Sequence, residues 1–223
     1  MTTLPPSISN WFETRGWSLH PHQIDMLTRA QDPSLLLIAP TGGGKTLAGF
    51  LPTLAELADG THQGLHTLYV SPLKALAADI KRNLRRPVED IGLPIRIEDR
   101  TGDTSYTQKR RQRADPPHIL LTTPESLARL LSYEDTPRIF ASLKRVIVDE
   151  IHAIAESKRG DQLMLSLARL ATLSPGLRRT GLSATVEDPP ALARFLSPVS
   201  CDIILADPGP DPDITMLTTP EPP

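Results

Sequence analysis

Cysteine and net charge are both scarce in this sequence, and each shortage limits what the chain can be. Cys201 is the only cysteine among 223 residues, so an internal disulfide is excluded, and no zinc-site spacing surrounds it. Such sparing use of cysteine is typical of a reducing cytoplasm. The net charge is −2, so no overall basic field indicates a nucleic-acid partner. Such a partner would have to be held by local patches and backbone contacts.

Long apolar runs and targeting signals are missing as well. No apolar run approaches the ~20 residues that cross a bilayer, so we expect no membrane partner. The first ten residues, MTTLPPSISN, have neither the basic region nor the apolar region of a signal peptide. With 39% hydrophobic and 22% charged residues, the composition is that of a globular protein, for which we expect a cytoplasmic location.

Short apolar runs alternate with helical patterns along the chain. The strand candidates are residues 34–39, 65–70, 95–98, 118–122, 145–148 and 180–183. Apolar residues spaced by three and four predict helices over 47–57, 73–84 and 163–171, the last with Leu163, Leu167, Leu170 and Ala171 on its apolar face. Pro52 predicts a kink or an early break in the first helix. The alternation predicts an α/β fold with a mainly parallel sheet flanked by helices on both faces, which binds ligands at the carboxyl ends of its strands.

The segment APTGGGKT, residues 39–46, follows a predicted strand and opens a predicted helix. Consecutive glycines let backbone N–H groups cradle phosphate oxygens, and the helix N-terminus adds partial positive charge. Ala39 stands where the strict motif has glycine, which is a mild departure. The segment predicts a P-loop that binds ATP and Mg²⁺. Lys45 would contact the β- and γ-phosphates and the Thr46 hydroxyl would bind Mg²⁺. The expected nucleotide-binding residues of the loop are Thr41, Gly42, Gly43, Gly44, Lys45 and Thr46.

Two adjacent carboxylates follow the predicted strand 145–148. In P-loop NTPases a second strand ends in an aspartate that holds Mg²⁺, and Asp149 fits that position. Glu150 would then orient or deprotonate the attacking water. A solvated strand end is the alternative for the pair taken alone, but a divalent cation and the Lys45 ammonium make the two charges compatible beside a P-loop.

With these residues in place, the chain resembles the superfamily 2 helicases. Residues 149–152, Asp-Glu-Ile-His, match their Asp-Glu-x-His box. Five other segments resemble further motifs of that superfamily and come in the expected order. They are PHQ (21–23), SPLKALA (71–77), TGD (101–103), TTPESL (122–127) and SAT (183–185). The runs APTGGGKTLAGFLP, SPLKALA, TTPESL, SKRG and GLSATV resemble the large helicase-related (Lhr) family of bacterial DNA helicases, and within it the ligase-associated branch. The resemblance covers about residues 10–200.

The resemblance implies a RecA-like, helicase ATP-binding domain over residues 1–205. A proline-rich linker, residues 206–223, would lead toward a second RecA-like domain, for which residues 186–223 are too few because a domain has about 100–150 residues. It also implies ATP-driven movement along single-stranded DNA, a role in DNA repair and a DNA ligase or nuclease as partner.

The resemblance assigns roles to further residues. Gln23 would read the adenine edge, and the catalytic box residue His152 would couple the nucleotide site to Ser183 and Thr185. Small polar residues at strand ends can also hold a phosphodiester backbone without reading bases. The expected nucleic-acid contacts are Ser71, Pro72, Lys74, Thr101, Gly102, Thr122, Thr123, Pro124, Lys158 and Arg159.

Alternatives to a DNA motor remain open from the sequence. One is a nucleotide-gated adaptor without turnover, although the presence of Glu150 favours a motor. Another is RNA in place of DNA, because backbone contacts do not define the sugar. A small-molecule kinase would need an acceptor pocket and an arginine-bearing lid that we do not see. In superfamily 2 motors the second domain supplies arginine fingers, and no later G-R-x-G-R segment is present. We therefore expect weak Mg-ATP binding, slow hydrolysis and no duplex unwinding by the chain alone.

Overall fold

Seven parallel strands form the centre of the part of the chain that the computed structural model describes, which is residues 4–72 and 74–207 without the side chains of 74–79 and 81–83. In chain order the strands are β1 (Ser34–Ile38), β2 (Thr67–Val70), β3 (Ile97–Arg100), β4 (Ile119–Thr122), β5 (Arg145–Val148), β6 (Arg178–Ser183) and β7 (Asp202–Leu205). Their order across the sheet is β3-β4-β2-β5-β6-β1-β7, and each neighbouring pair is parallel. The carboxyl ends of all strands therefore lie along one edge.

Helices connect the strands in the described part of the chain. They are α1 (Pro6–Glu13), α2 (Pro21–Thr28), α3 (Lys45–Leu57), α4 (Lys74–Ile91), α5 (Tyr106–Ala114), α6 (Pro124–Leu131), α7 (Thr136–Phe140), α8 (Lys158–Leu173) and α9 (Pro189–Leu196), with a 3₁₀ turn at Ile151–Ala153. None of the described helices has the length and apolar character that a membrane span requires.

Apolar layers cover both faces of the sheet, which explains why β1, β2, β4 and β5 are largely continuous apolar runs rather than alternating ones. All five residues of β1 are buried. Leu35 and Leu37 belong to the core that contains Phe50 of α3, whereas Leu36 and Ile38 belong to the core formed with α6, α8 and α9. Successive strand residues point to opposite faces, so each strand contributes to both cores. The predicted α/β fold with helices on both faces is confirmed.

A buried ion cluster holds the amino ends of β5 and β6 against α3. Glu56, near the end of α3, contacts Arg145 at 3.1 Å and Arg178 at 2.5 Å, and His66 approaches its second oxygen at 3.2 Å. Arg145 and Arg178 are the first residues of β5 and β6, and the side chain of Arg145 is only 1% exposed. We call these four residues the Glu56 cluster.

Three predicted strands begin two residues from the observed start, and one strand was missed. β2 begins at Thr67 rather than at residue 65, and β6 begins at Arg178 rather than at residue 180. β3 begins at Ile97, two residues later than predicted, because the backbone before it turns, with the Ile95 N–H donating to the Leu93 carbonyl. β7 was not predicted at all. It pairs with β1, and the Ala206 N–H extends the ladder to the Ile38 carbonyl oxygen at 2.8 Å. The predicted linker residues 208–223 lie outside the described residues.

The predicted early break at Pro52 is wrong, because α3 continues through it to Leu57. A proline inside a helix removes one hydrogen bond and costs about 3 kcal/mol or more. Phe50, Leu51 and Leu54 flank it and are fully buried. Each such side chain contributes roughly 1.5–3 kcal/mol by burial, which outweighs the interruption.

The other predicted helices are present with adjusted faces. α6 begins as predicted, since the Thr123 hydroxyl accepts a hydrogen bond from the Ser126 N–H and Glu125 lies in the first turn. In α8, Leu163, Leu167 and Leu170 are buried but Ala171 is exposed, because it lies beyond the edge of the apolar stripe. Leu73, where the predicted helix 73–84 was to begin, lies outside the described residues.

Candidate nucleotide and nucleic-acid site

The loop between β1 and α3 has the backbone shape of a phosphate cradle. Gly42 and Gly44 have φ of 83° and 73°, a region that favours glycine. A Cβ on Gly44 would lie 2.7 Å from Gln23 Nε2, so glycine is also required for the close approach of α2. The loop then enters α3 at Lys45, whose helix N-terminus provides unpaired backbone N–H groups for an anion.

Lys45 and Glu150 meet across this pocket. The Lys45 ammonium donates a hydrogen bond to Glu150 Oε1 at 2.8 Å, and the Lys45 side chain is only 9% exposed. Glu150 follows β5 with φ 46° and ψ 41°, the only positive φ outside glycine in the described chain. Such a conformation costs about 1–3 kcal/mol and persists where the surrounding structure imposes it. The sheet order β5-β6-β1 thus brings two residues 105 positions apart into direct contact.

Asp149 lies beside Glu150 but is buried. The Tyr69 hydroxyl donates to its Oδ2, and the Glu150 N–H donates to its Oδ1 at 2.9 Å. Burial raises the pKa of Asp149, and the charge of Glu150 adds to this, against the Tyr69 hydrogen bond and the Lys45 charge. Burial, together with the Asp149 charge, also raises the pKa of Tyr69, so its hydroxyl stays a donor.

The donor set of this pocket fits Mg²⁺. The Thr46 hydroxyl and the Asp149 carboxylate are hard oxygen ligands, and Mg²⁺ is usually bound by one or two carboxylates together with waters and phosphate oxygens. Among the described residues, no group of three or more His, Cys, Asp or Glu side chains could hold a metal ion by itself. The raised pKa of Asp149 indicates a carboxylate that a divalent cation would stabilise.

A short chain of contacts leads from the nucleotide pocket to the end of β6. His152 Nδ1 lies 3.5 Å from Glu150 Oε2 and 3.1 Å from Ser183 Oγ. Ser183 Oγ donates to the Ala184 carbonyl oxygen at 2.8 Å, so its lone pair is available to an N–H of His152. Thr185, the other predicted coupling residue, is exposed two positions further on. The structure therefore brings His152 and Ser183 into contact, and their role in coupling stays a prediction.

Aromatic and cationic residues from α1 and the segment that follows it complete the pocket, and the sequence reasoning missed them. A cavity of about 470 Å³ is lined by the phosphate loop, Glu150, Trp11, Arg15 and Trp17. The Arg15 guanidinium lies 4.4 Å from the Trp11 ring centroid and is held by Asp90 at 2.6 Å. Trp17 is 55% exposed. The available signal was that the only two tryptophans of the chain precede Gln23 by a few residues, with Arg15 between them.

Gln23 itself lies behind the phosphate loop. It is 3% exposed, its Oε1 accepts the His20 N–H at 2.9 Å, and its Nε2 lies 3.5 Å from the Gly44 carbonyl oxygen. These contacts cap α2 and attach it to the loop. The expected contact of Gln23 with an adenine edge stays a prediction.

The predicted nucleic-acid residues lie at the ends of β2, β3 and β4, but at different depths. Ser71 and Thr122 are fully buried. The Ser71 N–H donates to the Thr122 carbonyl, and the Thr122 hydroxyl donates to the Arg100 carbonyl at 2.7 Å. They fix the strand ends rather than present side chains to a ligand. A cavity of about 230 Å³ beside them is lined by Arg100, Thr101, Gly102, Lys109, Thr123, Glu125, Ser126 and Arg129.

Arg159 joins three of the predicted segments. Its Nε donates to Glu125 Oε1 at 2.5 Å and its Nη2 to the Pro72 carbonyl oxygen at 2.7 Å. Arg159 thereby connects the start of α8 with the start of α6 and the turn after β2. Lys158 is exposed beside it. Pro124, the first residue of α6, is buried, and Lys74 begins α4 with its side chain outside the described part of the structure.

Comparison with known proteins agrees with this geometry. The family model described as DEAD/DEAH box helicase matches residues 20–192. The Lhr helicase/probable uracil glycosylase of Mycolicibacterium smegmatis is 45% identical over 214 residues, which are 89% of this chain and 14% of that protein. The ATP-dependent helicase Lhr-Core protein 2 of Thermococcus barophilus is 41% identical over 209 residues, 86% of this chain and 24% of that protein.

A solved structure gives the same result in three dimensions. The Mycobacterium smegmatis helicase Lhr bound to ssDNA and AMP-PNP matches with a TM-score of 0.83 at 44% identity, over 92% of this chain and 28% of that one. This chain therefore spans less than a third of the length of each of these relatives. The matched family residues include the phosphate loop, the Asp-Glu-Ile-His box and the Ser-Ala-Thr segment. The chain belongs to the DEAD/DEAH box helicase family, and its sequence is that of an Lhr-type helicase motor domain.

Proposed function

We propose that this domain binds and hydrolyses Mg-ATP as the motor of an ATP-dependent DNA helicase or translocase. The observation that carries the proposal is the contact between Lys45 and Glu150 at 2.8 Å, which puts a phosphate-binding cation and a general base in one pocket. An adaptor that only binds nucleotide has no use for that base. The strained backbone of Glu150 favours turnover for the same reason, because strain persists where function maintains it.

The geometry supports a role for each of these residues during hydrolysis. The γ-phosphate competes with Glu150 for the Lys45 ammonium, so nucleotide binding draws the lysine away from the carboxylate. Glu150 is then free to accept a proton from the attacking water. Thr46 and Asp149 would hold Mg²⁺, which would supply positive charge to neutralise the phosphates. His152 lies near Glu150 and contacts Ser183, so a movement of Glu150 would be passed to the end of β6.

Single-stranded DNA is the polymer that we assign to the neighbouring strand ends. The cavity between β3 and α6 combines cations with small residues, as a phosphodiester backbone requires. Two cations of this cavity are accessible: Lys109 is half-buried and donates to the Gly102 carbonyl oxygen, and Arg129 is exposed. The Lhr structure described as bound to ssDNA supports single-stranded DNA as the polymer. A role in DNA repair, beside a ligase or nuclease, completes the proposal on the basis of the ligase-associated resemblance.

The test is ATP hydrolysis by the purified chain, alone and with matched single-stranded DNA or RNA oligonucleotides. We expect slow turnover and nucleotide binding that Lys45→Ala abolishes and Glu150→Gln preserves, with DNA preferred over RNA. Lys144→Ala and Glu156→Gln change exposed residues of the same types and serve as controls. Nucleotide binding that survives Lys45→Ala would refute the site. Equal stimulation or tighter binding by RNA would overturn the choice of DNA.

A further inference from the structure

Tyr69 stands at the boundary between the sheet core and the metal pocket. It is the third residue of β2, which pairs with β5 so that Val70 lies opposite Val148. Its side chain is 0% exposed, yet its hydroxyl reaches Asp149 Oδ2, the carboxylate that follows β5. A tyrosine hydroxyl in an apolar core needs a partner, and here the partner is the predicted Mg²⁺ ligand.

The two oxygens of Asp149 each have one fixed donor. Tyr69 donates to Oδ2 and the Glu150 N–H donates to Oδ1 at 2.9 Å. A carboxylate offers about four lone-pair sites, so two remain for other ligands. Donors on both oxygens fix the rotation of the carboxylate plane. The remaining lone pairs therefore point in defined directions before any metal arrives.

The ring of Tyr69 is itself held by the helix that carries the phosphate loop. Phe50 of α3 stacks on it with ring centroids 5.2 Å apart and an interplanar angle of 23°. Phe50 is fully buried and lies in the second turn after Lys45 and Thr46. One rigid path therefore runs from the Thr46 helix through two stacked rings to Asp149.

We propose that Tyr69 is a positioning residue for the Mg²⁺ site, fixing the Asp149 carboxylate relative to Thr46 through its hydroxyl and its stack on Phe50. The inference rests on the proposed function, because it requires that Thr46 and Asp149 bind Mg²⁺ with a nucleotide. Residues that orient metal ligands in this way typically contribute 10–100-fold to metal affinity. The competing view is that Asp149 only satisfies a buried hydroxyl, in which case the loss of that hydroxyl changes stability alone.

Tyr69→Phe separates the two views because it keeps the ring and its stack and removes one oxygen atom. A fluorescent ATP analogue is titrated with MgCl₂, and Mn²⁺ binding is followed in parallel by electron paramagnetic resonance. We expect Tyr69→Phe to need about tenfold more metal for half-saturation, with unchanged binding of the analogue in EDTA. In an Asp149→Ala background the same substitution should add no further loss, since Tyr69 acts through Asp149.

The matched control is Thr53→Val, which removes another buried hydroxyl from the same contact between α3 and β2. Thr53 Oγ1 lies 3.0 Å from Thr67 Oγ1, and neither residue lines the nucleotide cavity. It should lower the melting temperature without moving the metal midpoint. Equal metal midpoints for wild type and Tyr69→Phe would overturn the inference and leave the proposed function intact. If the affinity of the wild type for the analogue does not depend on Mg²⁺ or Mn²⁺, the proposed function is refuted, and the inference with it.

Discussion

Replacing Glu56 by glutamine should unfold this domain more easily while preserving its shape. Burial opposes ionisation of Glu56, but hydrogen bonds from His66 and Arg178 and the charge of Arg145 outweigh it and lower the pKa of this carboxyl to about 2. Burial, reinforced by the charge of Arg178, lowers the pKa of Arg145 to about 10. The carboxylate of Glu56 and the guanidinium groups of Arg145 and Arg178 therefore stabilise each other's charged forms.

The size of the effect follows from that pKa. A lowering from 4.5 to about 2 corresponds to about 3 kcal/mol of folding free energy near pH 7, at roughly 1.4 kcal/mol per unit of pKa. The Glu56 side chain is only 16% exposed, so solvent screening reduces this little. Because the folded pKa lies below the unfolded one, the stabilisation is complete above the unfolded pKa. It is lost as the pH falls toward about 2, and about 2 kcal/mol remains near pH 3.5.

Urea unfolding followed by circular dichroism measures this directly. Glu56→Gln should lose about 3 kcal/mol near pH 7, and the gap to wild type should narrow to about 2 kcal/mol near pH 3.5. Asp59→Asn, which removes an exposed carboxylate three residues away, is the control and should change little. A loss below about 1 kcal/mol, the level of a surface ion pair, would refute the reasoning. An equal gap at both pH values would refute it as well.

Three further substitutions test other parts of the site. Trp17→Ala should weaken ATP binding about tenfold by equilibrium titration, because base stacking on an aromatic ring is worth roughly 1–3 kcal/mol, and unchanged affinity would remove Trp17 from the site. Gly44→Ala should reduce ATP binding by far more than Gly92→Ala, since both have positive φ but only Gly44 would clash with Gln23; equal effects would contradict the clash. Arg159→Lys should weaken single-stranded DNA binding in a filter assay and lower the melting temperature, because lysine cannot contact both Glu125 and the Pro72 carbonyl oxygen. An unchanged melting temperature would show that these two contacts of Arg159 do not stabilise the domain.

The sheet was predictable where strands are covered on both faces, because such strands form continuous apolar runs. β7 was missed because it is an edge strand with half of its residues exposed, unlike β3 at the opposite edge. Asp202 and Leu205 are exposed, Leu205 to 66%, and prolines lie on both sides of the run. The continuation of α3 through Pro52 could not be predicted either. Local helix propensity favours a break at proline, and only the tertiary packing of Phe50 and Leu54 overrides that preference.

Within the site, the local motifs were predictable and the long-range partners were not. The phosphate loop and the pair Asp149–Glu150 can be recognised in the sequence because each is one short segment at a strand end. The Tyr69 hydroxyl lies 80 residues from Asp149 in sequence, and Arg145 lies 89 residues from Glu56. Neither pairing leaves a local pattern, because it depends on which strands become neighbours in the sheet.

The pairing of β7 with β1 makes the end of the sheet a mechanical element. The two strands run in parallel from the pair Leu35–Asp202 to the pair Ile38–Leu205, and Ala206 adds one more bond to Ile38. A pull on the chain beyond residue 206 therefore loads these evenly spaced bonds together, in shear, rather than one after another. The strand that receives the load leads directly into the phosphate loop. Tension along the backbone can thus reach the nucleotide pocket through the main chain alone.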